Sequence, residues 1–224
     1  GEVLAFNHAG LDLADPERIR STLRQLKPEI VVNAAAYTAV DRAESEPEAA
    51  FAINSHGPGV LAEEAARLGA LLIHYSTDYV FDGAKAGPYL EDDATHPLSV
   101  YGASKLEGER AVAASGARHW IFRTSWVYAP HGKNFLLTIL RLAREGKPLR
   151  VVADQFGAPT SAAMLARATA QALSIRAQAL TIGAQGLTTG AQAQANRAPP
   201  PSGVYHMTAD GRPYWHGFAS AILA

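Results

Sequence analysis

Tyr101 and Lys105 stand four residues apart in the stretch 99–115, which reads as a helix, so a phenol and an ammonium leave one face of it into the same space. That pair suits proton transfer. A free tyrosine titrates near about 10, and a neighbouring ammonium favours phenolate, which eases delivery of a proton to an oxygen that gains charge as hydride arrives at the adjoining carbon. Ser76 and Thr77, at the end of an apolar strand, are placed to donate hydrogen bonds to the same oxygen. A Tyr-x-x-x-Lys spacing alone is common, and the bland alternative is an ordinary helical pair on a wet surface.

The elements that must hold these groups alternate along the chain. Glu2–Asn7 is short and apolar enough for a buried strand. Asp15-Pro16 then supplies an N-cap and first-turn proline, Ile19, Leu23 and Leu26 form an apolar stripe, and Lys27-Pro28 ends the helix. Further strands are expected at Ile30–Asn33, Leu71–Ser76, Trp120–Thr124, Leu149–Val152 and Val204–His206. Helices are expected from Pro47 to about Leu68, with Gly57-Pro58-Gly59 disturbing its centre, and at 99–115, Phe135–Arg144, Ser161–Ile175 and Tyr214–Leu223. The segment 77–98 reads as a long loop over a binding face. This order predicts an α/β fold, a doubly wound, Rossmann-like parallel sheet with a small C-terminal substrate-binding region. Residues 1–128 are expected to form the dinucleotide-binding domain and 129–224 to complete the sheet and the substrate-binding part. The low-complexity stretch 181–201 reads as a mobile insertion.

Composition narrows the function. The 224 residues carry 20 Lys+Arg against 21 Asp+Glu, for a net charge of -1, without the basic block that nucleic-acid binding uses. Cysteine is absent, which removes thiolate nucleophiles and cysteine-ligated metals and fits a reducing, cytoplasmic setting. No apolar run approaches the roughly 20 residues of a membrane span. The acidic pairs Asp92-Asp93 and Glu63-Glu64 read as solvated surface, and no HExxH or G-x-S-x-G pattern supports a zinc hydrolase or an esterase.

Three segments occurring in order, His74-Tyr-Ser-Thr-Asp-Tyr-Val-Phe81, Pro97-Leu-Ser-Val-Tyr-Gly-Ala-Ser-Lys105 and Phe122-Arg-Thr-Ser-Trp-Val-Tyr128, together resemble the dTDP-4-dehydrorhamnose reductases. The likeness extends to Asn33–Glu44, Asp154–Thr160 and Gly203–His206, and so to nearly the whole chain outside the insertion. That family, within the extended short-chain dehydrogenase/reductase superfamily, reduces the 4-keto group of a dTDP-linked deoxysugar. By motif position the resemblance implies Tyr101 as proton donor, Lys105 as its partner and holder of the nicotinamide ribose, and Thr77 as third member of a catalytic triad. It implies cofactor contacts at Asp12, Leu13, Ala36, Tyr37 and Thr38 besides Tyr101 and Lys105. It implies a dTDP-sugar site drawn from Thr38, Val40, Thr77, Asp78, Tyr79, Tyr101 and Trp126. Some members hold a magnesium ion at a homodimer contact, but the glutamates that bind it have no match here, so the metal is left unassigned.

Asn7-His8 closes the first strand where NAD-specific sites place an acid on the ribose. A neutral amide and an imidazole do not repel the extra phosphate, which favours NADPH with NADH tolerated. The glycine-rich strand-turn-helix that cradles a pyrophosphate is not found ahead of this point. The expectation is that Gly1 stands at the fold's second strand, with about 25–30 residues upstream in the natural protein, a point intact mass would decide, and that the chain continues past Ala224. Two other readings share the motifs: a nucleotide-sugar epimerase or 4,6-dehydratase, and a non-catalytic regulatory subunit like the partner of methionine adenosyltransferase. A dehydratase needs further acid and base groups, and Asp78 here is followed by Tyr79 rather than by a second acid.

Overall fold

The computed structural model describes residues 2–184 and 200–224. They fall into two compact units, Gly1–Arg123 with Ser202–His206, and Thr124–Pro201 with Met207–Ala224. The short segment Ser202–His206 near the end of the chain groups with the first unit.

In the first unit, helix α1 (Pro16–Leu26) begins where the Asp15 carboxylate accepts a hydrogen bond from the Arg18 N–H at 2.9 Å, and ends at Lys27, whose φ of 48° is left-handed. Its buried stripe is Ile19 and Leu23, while Leu26 at the last turn is 39% exposed. Strand β1 (Ile30–Asn33) runs parallel to β2 (Leu71–Thr77), with Asn33 opposite His74. Strand β3 (Arg118–Thr124) runs parallel to β6 (Gly203–His206), and the sheet order is β1-β2-β3-β6. Between these strands lie α2 (Val40–Ala43), α3 (Pro47–Phe51), α4 (Gly57–Leu68) and α5 (Val100–Ala114). Ile19, Leu23, Leu61, Ala65, Leu72, Val112 and Ile121 form the core of one sheet face. Leu71, Ile73, Trp120 and Phe122 alternate with them and are buried too. Strands hidden on both faces read as unbroken apolar runs, as expected of a parallel Rossmann-like sheet.

Two local expectations change. Glu2–Asn7 forms no strand, and Val3, Leu4 and Phe6 are 88%, 56% and 49% exposed. An apolar hexapeptide becomes a strand only with a ladder partner, and no described strand pairs with it. The helix expected over 47–68 is continuous, but its centre, Ala52–His56, is a π-turn. Pro58 has no N–H to return to the Asn54 carbonyl, and the Gly57 N–H reaches back five residues to Ala52.

In the second unit β4 (Val127–Tyr128) and β5 (Thr160–Ser161) pair in parallel, accompanied by α6 (Phe135–Arg144), α7 (Ala162–Ala184) and α8 (Trp215–Leu223). Trp126 and Trp215 stack at 3.5 Å between centroids, and Phe135 lies 4.5 Å from Trp215. The strand expected at Leu149–Val152 is irregular chain instead: the Val152 carbonyl accepts from the His216 N–H at 2.9 Å, which ties it to the start of a helix rather than to a ladder. The insertion expected at 181–201 begins as the last turn of α7, and its residues 185–199 lie outside those described.

Candidate active site

The C-terminal end of β2 and the first turns of α5 carry the chemistry. Ser99 caps α5 by accepting from the Gly102 N–H at 3.1 Å, which fixes the helical phase so that Tyr101, Lys105 and Glu109 share one face. Gly102 is required for the approach: a Cβ there would collide with the Tyr79 carbonyl oxygen, and one at Gly108 would strike the carbonyl of Asn54 in the π-turn. Helix α5 thus touches backbone on both sides of its catalytic face.

At the end of β2 the Thr77 hydroxyl donates to Asp78 Oδ1 at 3.1 Å and accepts from the Tyr79 N–H at 3.2 Å, which starts a short 3-10 turn, Asp78–Val80. Thr77 lies beside the Tyr101 hydroxyl, and the Tyr79 ring meets the Tyr101 ring edge-on at 5.5 Å. Burial pushes the Tyr101 phenol up to about 12; the charges of Asp78 and Tyr79 add to this and the Thr77 hydroxyl opposes it. Burial likewise pushes the Asp78 carboxyl up to about 6, against hydrogen bonds from Thr77 and the backbone. Lys105 is 2% exposed, and its Nζ donates to the Tyr75 carbonyl at 2.7 Å and lies 3.4 Å from His74 Nε2. Burial pulls this amine down to about 8, with Glu109 working in the opposite direction.

Thr77, Asp78, Tyr79 and Tyr101 are therefore brought together, with Lys105 one helical turn further in. Tyr37 and Val40 pack into the same apolar cluster as Tyr101. The Tyr37 backbone is held by Asn54, whose amide accepts from the Tyr37 N–H at 2.8 Å and donates to its carbonyl at 3.0 Å and to Ser104 Oγ at 3.0 Å. Ala36 is half-buried and Thr38 exposed beside it. Asp12 and Leu13 lie elsewhere in this unit. Asp12 caps a turn by accepting from the Ala14 N–H at 2.9 Å, and the Leu13 side chain belongs to the core while its carbonyl packs against Gly57 of α4. Trp126 belongs to the second unit, where it stacks on Trp215.

Several residues went unread in sequence. Glu109 accepts from Ser76 Oγ at 2.5 Å and forms a two-point ion pair with Arg123 at 2.9 and 2.7 Å, all buried. Its spacing, four residues past Lys105, was the available signal. Asn33, His74 and Asn54 had none, because the side-chain partners that hold them lie between 17 and 50 residues away. Among the described residues no group of three or more His, Asp or Glu could hold a metal ion. None of the described helices is long and apolar enough to cross a membrane.

The family model described as the RmlD substrate binding domain matches residues 1–224. The chain belongs to this family, that of the dTDP-4-dehydrorhamnose reductases. It is similar to the dTDP-4-dehydrorhamnose reductase of Burkholderia thailandensis, at 51% identity over 226 residues that cover 100% of this chain and 70% of that protein. Among solved structures it resembles the Clostridium acetobutylicum dTDP-4-dehydrorhamnose reductase, with a TM-score of 0.84 and 35% identity over 99% of this chain and 70% of that one. It also resembles the Bacillus anthracis enzyme of the same name in complex with NADP, with a TM-score of 0.78 and 32% identity over 97% and 69% of the two chains.

Proposed function

We propose that this chain reduces the 4-keto group of dTDP-4-dehydro-L-rhamnose with NAD(P)H, giving dTDP-L-rhamnose. One observation carries the reading: Tyr101 and Lys105, four residues apart on α5, share the helix face that meets the Thr77 end of a parallel strand. A reductase needs its acid protonated at rest, and a phenol near 12 meets that need.

The residues present suit the nicotinamide end of such a cofactor. Between Asn33 and Tyr37 the chain carries only alanines, Ala34 and Ala35 among them exposed, so a flat ring meets no bulky side chain there. Ala36, Tyr37 and Thr38 would flank it, with Asp12 and Leu13 toward the adenine, and Tyr101 and Lys105 offer donors to the ribose hydroxyls. When bound, the reduced nicotinamide supplies a hydride to C4 of the sugar. Thr77 and Tyr101 hold the ketone oxygen between two hydroxyls, and as charge builds there Tyr101 passes its proton to it. Lys105 steadies the phenolate left behind. Thr38, Val40, Asp78 and Tyr79 would line the sugar nucleotide. Asn7 and His8 favour NADPH, with NADH tolerated; His8 is exposed and its ring lies 3.5 Å from the Asp12 carboxylate.

Incubation of the protein with NADPH and dTDP-4-dehydro-L-rhamnose should consume both in equal amounts and give dTDP-L-rhamnose. Interconversion of sugars without net NADPH oxidation would instead mark an epimerase, and cofactor binding without turnover a regulatory subunit. A lower KM for NADH than for NADPH would overturn the cofactor preference. The absence of cysteine suits the proposed cytoplasmic setting.

A further inference from the structure

Trp126 stands two residues past the end of β3 with a φ of 47°, a left-handed backbone that a bulky side chain rarely adopts. Among the described residues the other non-glycine with positive φ is Lys27, where a helix ends. Trp126 ends no helix. Its backbone is fastened instead to the neighbouring strand: the Ser125 hydroxyl donates to the Ala158 carbonyl at 3.0 Å, and the Trp126 carbonyl accepts from the Thr160 N–H at 3.3 Å. The left-handed turn sets the aim of the indole.

Both faces of that ring are covered. On one lies Trp215, the first residue of α8, with 3.5 Å between centroids and 11° between planes, and Phe135 of α6 lies 4.5 Å from Trp215. On the other lies Gly157. A Cβ placed there would fall closest to Cε2 of the indole, 2.6 Å from Cζ2 and 2.7 Å from Nε1, which puts it above the ring plane rather than beside its edge. Its three nearest atoms all belong to Trp126, whereas a ring stacked over the same face would lie closer still, so Gly157 and Trp215 take opposite faces. Backbone sets the gap between them. The Gly157 N–H donates to the Pro213 carbonyl at 3.1 Å, Phe156 and Tyr214 form an antiparallel bridge, and the His216 N–H donates to the Val152 carbonyl at 2.9 Å. These contacts fix residues 152–157 against 213–216, and the slot that remains is one aromatic ring thick.

With its faces closed, Trp126 can offer a ligand only its rim. The residue is half-buried, and its Nε1–H has no protein partner among the described residues and is not sealed from solvent. An indole nitrogen donates and does not accept. In open α/β sheets ligands bind outside the carboxyl ends of the strands, and Trp126 follows the carboxyl end of β3. At that same end the Thr124 hydroxyl is buried without a partner, a second polar group that the protein itself leaves unmatched.

We propose that Gly157 and Trp215 are positioning residues for the sugar nucleotide, a role that rests on the function proposed above: they close both faces of Trp126, so that it meets the ligand by donating Nε1–H to an oxygen of the glycosyl diphosphate and not by stacking. Gly157 keeps the slot open to the ring, and Trp215 fills the space into which the ring would otherwise turn.

The test uses the full chain with ¹⁵N in the indoles of its three tryptophans and dTDP-L-rhamnose as ligand. The stacked indoles are expected to give an exciton couplet in circular dichroism that Trp215→Leu abolishes. On saturation with dTDP-L-rhamnose the Trp126 indole proton, assigned by its loss in Trp126→Phe, is expected to move downfield and to exchange more slowly with water. Trp215→Leu and Gly157→Ala should each raise KM for the keto sugar about three- to tenfold, the worth of one hydrogen bond, with kcat within about twofold, while Trp215→Phe, which still covers the face, restores KM. Variants that fold with a lower Tm but an unchanged KM overturn the proposal, because the clamp then serves stability alone. A Trp126 indole proton that stays unmoved when the dTDP sugar is bound overturns it too, even if every variant fails to fold. The proton shift needs no turnover, so a chain that shows it but leaves NADPH and the keto sugar unchanged sinks the reductase reading alone, and a chain that binds no dTDP sugar sinks both.

Discussion

Gly102 meets the carbonyl of Tyr79 backbone to backbone, with no room for a Cβ between them. That contact seats the first turn of α5 on the 3-10 turn after β2 and thereby brings Tyr101 to Thr77. Gly102→Ala would gain about 1 kcal/mol of helix propensity. The collision with a rigid carbonyl costs more, and a net loss of about 1–3 kcal/mol in urea unfolding is expected, together with lower kcat because the phenol is displaced. A variant as stable as the parent would show that the turn moves aside freely.

Tyr101→Phe removes the proton donor and little else, since the ring contact with Tyr79 at 5.5 Å does not involve the hydroxyl. Reductase kcat should fall by about 10²–10⁴-fold, far more than cofactor affinity, which loses only the contact of the Tyr101 hydroxyl with the ribose. Stopped-flow NADPH oxidation reads the first and fluorescence titration the second. Retention of full activity would remove Tyr101 from the mechanism.

The Glu109–Arg123 pair is buried on both sides, at 5% and 6% exposure. Removing one partner leaves the other charge without compensation, so Glu109→Gln or Arg123→Met should each cost about 3–5 kcal/mol. Replacing both together should cost less than the sum of the two, and a double-mutant cycle measures the difference.

Asp78 is held up to about 6 by burial, above a carboxylate's unfolded value near 3.8. The folded state therefore binds this proton more tightly, and the stability it contributes is present at low pH and lost as pH rises through about 6. Asp78→Asn keeps an acceptor for Thr77 and carries no charge. It should be more stable than the parent by about 2 kcal/mol at pH 8 and equal to it near pH 4. Denaturant midpoints at the two pH values settle this, and a difference independent of pH would contradict it.

Much of this molecule was readable before its structure. The Asp15-Pro16 cap, the period-3.6 stripe of α1, the apolar runs of β2 and β3 and the helical stretch 99–115 are local signals, and each element formed within a residue or two of its expected place. The Tyr-x-x-x-Lys face follows from the same locality, because helical geometry alone decides which side chains share a side. Where local pattern needed a distant partner, it failed. Glu2–Asn7 and Leu149–Val152 are apolar enough for strands but find no ladder, and the π-turn at 52–56 takes its shape from Pro58 together with Gly108 of another helix. Residue types and spacings determined which groups could transfer a proton. Only the tertiary structure decided their surroundings, since burial, the Asn33–His74 contact across two strands and the Glu109–Arg123 pair across a helix and a strand join residues that the chain keeps far apart.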